Sequence, residues 1–292
     1  MTALSSRTAI HYDAYRNILV VLHGRKTVKL YPPSEASNLY ARPVYSKSSN
    51  HSSVNFVNPD LTAHPRFKDV QAVTLTATAG DAIYIPEGWW HQVDTDAFTV
   101  AINFWFDGLR TQLVDDLDMV TYYSRVVIGE LVKSETKAML RELRCTQRIT
   151  FGGNAEAFSI KAIVTENLSQ QKLENFLFTV PDEDQRTVQM QLANDYPDVW
   201  KSILRESSDE LAAFLTEFWD RTMYNEGWVL ELFTAVGDEE STLKESLLTK
   251  QENFMRKAFE RVLASTFGYQ PTTRTTSTDE TVLRTELRCY KS

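Results

Sequence analysis

Two short stretches far apart in the chain most constrain its fold: His11-Tyr12-Asp13 and Trp89-Trp90-His91. In an extended segment residues i and i+2 point the same way, so His11 and Asp13 can face one point from a single strand. His91 lies 78 positions after Asp13, so it can share that point only from a different strand. Two imidazoles and one carboxylate are the ligand set that holds Fe(II) on one face and leaves other positions open. A barrel of short antiparallel strands meets that demand. An H-x-D alone says little, because a solitary histidine is far more often a satisfied core or surface residue than a ligand.

Four further stretches bear on the question. In Lys26-Thr27-Val28-Lys29-Leu30-Tyr31 the alternation puts Lys26 on the face of Val28 and Leu30, with Lys29 opposite. A lysine on an apolar face needs an anion, because an unpaired buried ammonium is costly. A dicarboxylate would supply it; alternatively Lys26 snorkels out beside the His23-Gly24 turn. If the chain stays extended from 12 to 22, Asn17 shares the parity of His11 and Asp13, although a loop asparagine capping its own backbone is equally consistent.

Gly80-Asp81 and Pro86-Glu87-Gly88 read as turns around a short strand, and the second turn starts a new strand at the tryptophans. Of two adjacent tryptophans one can wall a site while the other packs outward; both can also be plain core. In residues 99–106 one face is large and apolar (Val100, Ile102, Phe104, Phe106), while the other carries Thr99, Ala101, Asn103 and Trp105. Small inward residues leave room for a ligand, and Asn103 offers both a donor and an acceptor.

These stretches, with Leu39-Tyr40, Val57-Asn58-Pro59-Asp60 and Pro65-Arg66-Phe67 between them, resemble in order and spacing the catalytic core of the JmjC family of Fe(II)- and 2-oxoglutarate-dependent oxygenases. The similarity is nearest to the small JmjC hydroxylases (factor-inhibiting-HIF-like and tRNA-wybutosine-hydroxylase-like), and it covers roughly the first third of the chain. The resemblance implies a double-stranded β-helix of the jelly-roll, cupin kind within an α+β chain. It also implies His11, Asp13 and His91 as iron ligands, and Lys26 with Thr8 on the distal carboxylate of 2-oxoglutarate. Asn17 and Asn103 would then lie near the chelating end of the cosubstrate, with Trp105 beside it. The expected activity is hydroxylation of a protein side chain; a lysine demethylase, a tRNA hydroxylase and a catalytically inactive scaffold are the alternatives. The family carries a strand and a longer segment before the H-x-D, whereas ten residues precede His11 here. The expectation is therefore a barrel lacking its first strand, or a piece of a longer chain.

Beyond Phe106 the pattern changes. Residues 109–145 show apolar spacing of threes and fours (Leu113, Leu117, Val120, then Val127 and Leu131), which predicts a helix. Further helices are expected at 155–165, 185–194, 197–205, 207–224 and 241–266, the last ended by Gly268. A capping box of Ser207 and Glu210 would open the fourth. The division is thus a catalytic core at 1–108, a helical region at 109–270 and a disordered, threonine-rich tail at 271–292. The helical stripes read as core, and by analogy with the family a homodimer through them is also expected.

The formal net charge of −8 speaks against broad nucleic-acid binding and suits a protein or peptide substrate. With only two cysteines, Cys145 and Cys289, far apart, no disulfide framework is indicated. No apolar run approaches a membrane span, and residues 1–10 lack the apolar core of a signal peptide; an intracellular setting is the expectation. His51 and His64 are expected to face solvent in loops, with His51 within reach of substrate.

Overall fold

The computed structural model describes residues 4–107, 119–151, 169–222, 227–234 and 236–269. Its first part is eight strands: β1 (Ser6–Arg7), β2 (His11–Tyr12), β3 (Arg16–His23), β4 (Arg25–Tyr31), β5 (Val73–Thr78), β6 (Ala82–Ile85), β7 (Trp90–Thr95) and β8 (Val100–Phe106). All pairings are antiparallel. One sheet runs β1-β7-β4-β5, with β2 also paired to β7; the other is β6-β3-β8. The sheets face each other across Leu19, Val21, Val28, Leu30, Ala77, Ile83 and Ile85, one continuous apolar cluster. Each of these residues is the inward member of an alternating pair, which is why an alternating sequence forms this sandwich.

The β3–β4 turn rests on Gly24, whose φ is +82° and whose added Cβ would lie 2.4 Å from Thr99 Oγ1. The extended run expected over 12–22 is broken at residues 13–15, yet parity survives the break: Asn17, Leu19 and Val21 point inward. Among the described residues β8 pairs only with β3, so no described strand covers its outer edge. The outward face of β8 is exposed, Phe104 by 55 %.

The second part is helical: α1 (Val120–Phe151), α2 (Gln170–Thr179), α3 (Asp182–Asp195), α4 (Pro197–Glu206), α5 (Asp209–Thr222), α6 (Trp228–Thr234) and α7 (Glu240–Phe267). The expected helices at 185–194, 197–205, 207–224 and 241–266 correspond to α3, α4, α5 and α7. The start of the predicted 109–145 helix, the helix at 155–165 and the tail lie outside the described residues. α2 and α6 were not expected from spacing. The capping box is corrected: the Leu211 N–H donates to Ser208 Oγ (3.1 Å), so Ser208, not Ser207, caps α5. Glu174 of α2 takes the acidic role, accepting the Ser208 N–H (2.9 Å) and hydroxyl (2.6 Å). α7 ends as expected at Gly268, φ +66°, the left-handed cap that glycine adopts without strain.

The stripe Leu211, Phe214, Leu215, Phe218 is buried inside a helical core with Trp200, Leu177 and Leu232. A smaller cluster, Ile10, Tyr12, Tyr31, Trp90, Met119 and Tyr122, joins α1 to the strands. Among the described residues no helix is long and apolar enough to cross a membrane, and Cys145 is a free, exposed thiol.

Candidate metal centre

β7 is the strand on which the site is assembled. It pairs with β2 so that His91 stands opposite His11, and on its other edge with β4, which sets Thr95 opposite Lys26. Alternation turns His91, Val93 and Thr95 to one face, and Trp90 away into the cluster with Tyr12 and Tyr122. Asp13 enters from the break after β2. Its backbone carbonyl accepts the Gly88 N–H (3.0 Å), which ties the H-x-D segment to the turn that launches β7. Gly88 has φ +75°, and an added Cβ would fall 2.7 Å from the Tyr122 ring.

Each of His11, Asp13 and His91 offers one ligand atom, and these atoms all lie within 4.8 Å of one another. His91 Nε2 is 3.6 Å from Asp13 Oδ2 and His11 Nε2 is 4.0 Å from Asp13 Oδ1. Both imidazoles are oriented alike: His11 Nδ1 is 2.8 Å from the Ala9 carbonyl, and His91 Nδ1 is 3.0 Å from that of Trp89. A carbonyl only accepts, so Nδ1 carries the proton in each ring and Nε2 presents its lone pair to the shared point. Burial, and then the nearby His11, push the His91 pKa below its ordinary value. That favours the neutral form a metal requires.

Lys26 Nζ donates to Thr95 Oγ1 (2.7 Å) and forms no ion pair among the described residues. Burial lowers its pKa from the ordinary lysine value. A half-buried ammonium lacking a counter-ion is a receptor for an anionic group. Thr8 Oγ1 accepts the Val93 N–H (2.9 Å), which leaves its hydroxyl proton available. Asn17 is only 4 % exposed and its Oδ1 has no hydrogen-bond partner. An orphaned buried acceptor costs about 1–3 kcal/mol, a cost that a bound donor would remove.

Thr8, His11, Asp13, Asn17, Lys26, His91, Asn103 and Trp105 all line one cavity of about 290 Å³. Asn103 and Trp105 sit at its exposed rim, Trp105 with 60 % of its surface free. Thr95 escaped the sequence reading, although its shared parity with His91 would have flagged it. His51 is corrected from solvent-facing to half-buried: its ring stacks on His11 at 5.3 Å between centroids. It lies in an irregular loop, where no periodicity announces such a contact. His64 is likewise half-buried, edge-on to Tyr40.

The donor set fits a divalent cation of the Fe(II) type, and the isolated ammonium with the orphaned amide fits a carboxylate-bearing cosubstrate. Residues 1–112 match the family model of the cupin-like domain. Over 146 residues, 49 % of the chain, the sequence is 42 % identical to the Arabidopsis thaliana protein named Lysine-specific demethylase JMJ31. It is 38 % identical over 108 residues (36 % of the chain) to human HSPB1-associated protein 1. With human tRNA wybutosine-synthesizing protein 5 it shares 32 % identity over 108 residues, 37 % of the chain. The matched segments span 26 %, 22 % and 33 % of those relatives.

Proposed function

We propose that the chain, whose residues 1–112 match the family model of the cupin-like domain, is an Fe(II)- and 2-oxoglutarate-dependent dioxygenase of the JmjC kind that hydroxylates a protein side chain. The two sheets are then the halves of a double-stranded β-helix. The observation that carries the reading is one cavity holding two imidazoles of fixed tautomer, a carboxylate and an ammonium without a counter-ion.

His11, Asp13 and His91 would hold the iron, and Lys26 with Thr8 would grip the distal carboxylate of 2-oxoglutarate. Asn17, Asn103 and Trp105 would border its other end. Once bound, iron and cosubstrate supply the oxidation: one oxygen atom of O2 ends in succinate, formed with loss of CO2, and the other in a substrate C–H bond. The chain's own part is to orient and exclude. The Ala9 and Trp89 carbonyls hold the imidazole tautomers, and the walls of Leu19, Ile85 and Val93 keep the inner end of the cavity apolar. A protein substrate is supported by the chain's net charge of −8, which opposes a polyanion.

The test is succinate release from 2-oxoglutarate after anaerobic loading with Fe(II). The wild type is expected to release succinate and His91→Ala to lose it. Unchanged turnover in that variant would overturn the proposal. A folded wild type that neither retains iron nor releases succinate would be a JmjC-like scaffold.

A further inference from the structure

A second cavity of about 850 Å³ opens beside the metal centre and shares Asp13 and Trp105 with it. Its far wall is helical. Gly129, Lys133 and Lys137 recur every four residues along α1; Ala213 and Glu217 do so on α5, and Gln251 and Met255 on α7. Spacing of four puts each set on one helix face, so the three faces converge on the cleft. Volumes of about 300–1,000 Å³ are typical of ligand clefts.

Most charges on this wall are matched within the chain. Lys133 pairs with Glu130 (2.7 Å), Lys47 with Asp220 (3.5 Å) and Arg221 with Asp182 (3.0 Å). Arg125 donates to the carbonyls of Arg42 and Ser49. Two acceptors are left, and one donor, Arg125 Nε, which is buried without a partner. Glu217 is half-buried and has no ion pair or hydrogen bond among the described residues. Gln251 is 9 % exposed, and its Oε1 is buried without a partner. Lys137 has no ion pair among the described residues either, but it is exposed, where water satisfies an ammonium. The unmatched groups that α5 and α7 present to the cleft, Glu217 and Gln251, are both acceptors.

We propose that this cleft is the groove for a polypeptide substrate, and that Glu217 and Gln251 form a subsite for a lysine or arginine side chain away from the oxidised residue. The proposal rests on the metal-centre reading only in placing the reaction at the groove's other end. A cationic head supplies several N–H donors to a carboxylate and an amide oxygen at once. A nucleic acid is opposed by the chain's overall charge of −8.

The experiment is fluorescence anisotropy on the full chain without iron. The probes are a labelled eight-residue Gly-Arg repeat, its Gly-Glu counterpart and a labelled oligouridylate. The basic peptide binds the wild type most tightly. Glu217→Gln and Gln251→Leu each weaken it about tenfold, the size of one lost charge-assisted hydrogen bond. Glu245→Gln, which removes an equal charge from an exposed position of α7, changes it by less than about twofold, within surface electrostatics. Gln251→Leu does not lower the Tm, because it deletes an acceptor that the free protein leaves unsatisfied. Equal affinity of the wild type and both groove variants overturns the proposal, as does an equal loss in Glu245→Gln or tighter binding of the acidic peptide or the RNA. Peptide binding as described in a chain that releases no succinate upholds the groove and removes only the oxygenase reading. Succinate release with no preference for the basic peptide removes only the groove.

Discussion

Lys26 and Lys29 are three residues apart on one strand, yet they meet different environments. Lys26 faces the cavity with Thr95 as its hydrogen-bond partner, whereas Lys29 lies on the opposite side of β4. Lys26→Ala should therefore weaken 2-oxoglutarate binding at least about tenfold, the scale of a charge-assisted contact, while Lys29→Ala changes it by less than about twofold. Calorimetry under anaerobic conditions reads both, and equal losses would mean that the strand's faces are reversed. The pH dependence follows from the same residue. The charged ammonium binds the carboxylate, and burial lowers its pKa. Affinity should thus decline with rising pH below the range of an ordinary lysine, about 10.4, and Lys26→Ala should flatten that decline. These faces were legible because alternation needs only a strand and a parity. The stacking of His51 on His11 was not, since it depends on where residues 40–65 fold back.

At the level of elements, the turn before β7 is the joint between the site and the helices. The Gly88 N–H holds the Asp13 carbonyl while its bare Cα sits against the Tyr122 ring. Gly88→Ala combines positive-φ strain with a steric clash and should cost about 1–3 kcal/mol, seen as a lowered Tm together with weakened metal binding; a wild-type Tm would show that the turn adapts. The α5 cap gives a second case. Ser208→Ala should cost about 1 kcal/mol in chemical denaturation, and no loss would contradict the assigned cap. The sequence placed this cap one residue early, because Ser207 and Ser208 are both good caps. The acid that completes it, Glu174, comes from another helix rather than from three positions along. α3, α4, α5 and α7 were readable from apolar spacing and flanking proline or glycine. α6 spans seven residues, about two turns, too short to show a repeat.

For the whole molecule, the change from alternation to helical spacing after Phe106 marks where strands give way to helices. What no local pattern encodes is that α1 returns to the strands. Tyr12, Tyr31 and Trp90 share one buried cluster with Met119 and Tyr122, so the helices wall the approach to the metal centre as well as forming a core of their own. A fragment ending at residue 107 would expose that cluster. It should self-associate in size-exclusion chromatography, and a stable monomer would show that the strands stand without α1.

All of this presupposes that His11, Asp13 and His91 serve one ion. The most direct test is Mn(II) titration followed by electron paramagnetic resonance, which reads the metal without requiring turnover. The wild type should bind one ion per chain, and Asp13→Ala should bind at least about tenfold more weakly, since losing even a group that only orients a ligand costs about that much. An Asp13→Ala protein that holds Mn(II) as tightly as the wild type would contradict the account at its centre.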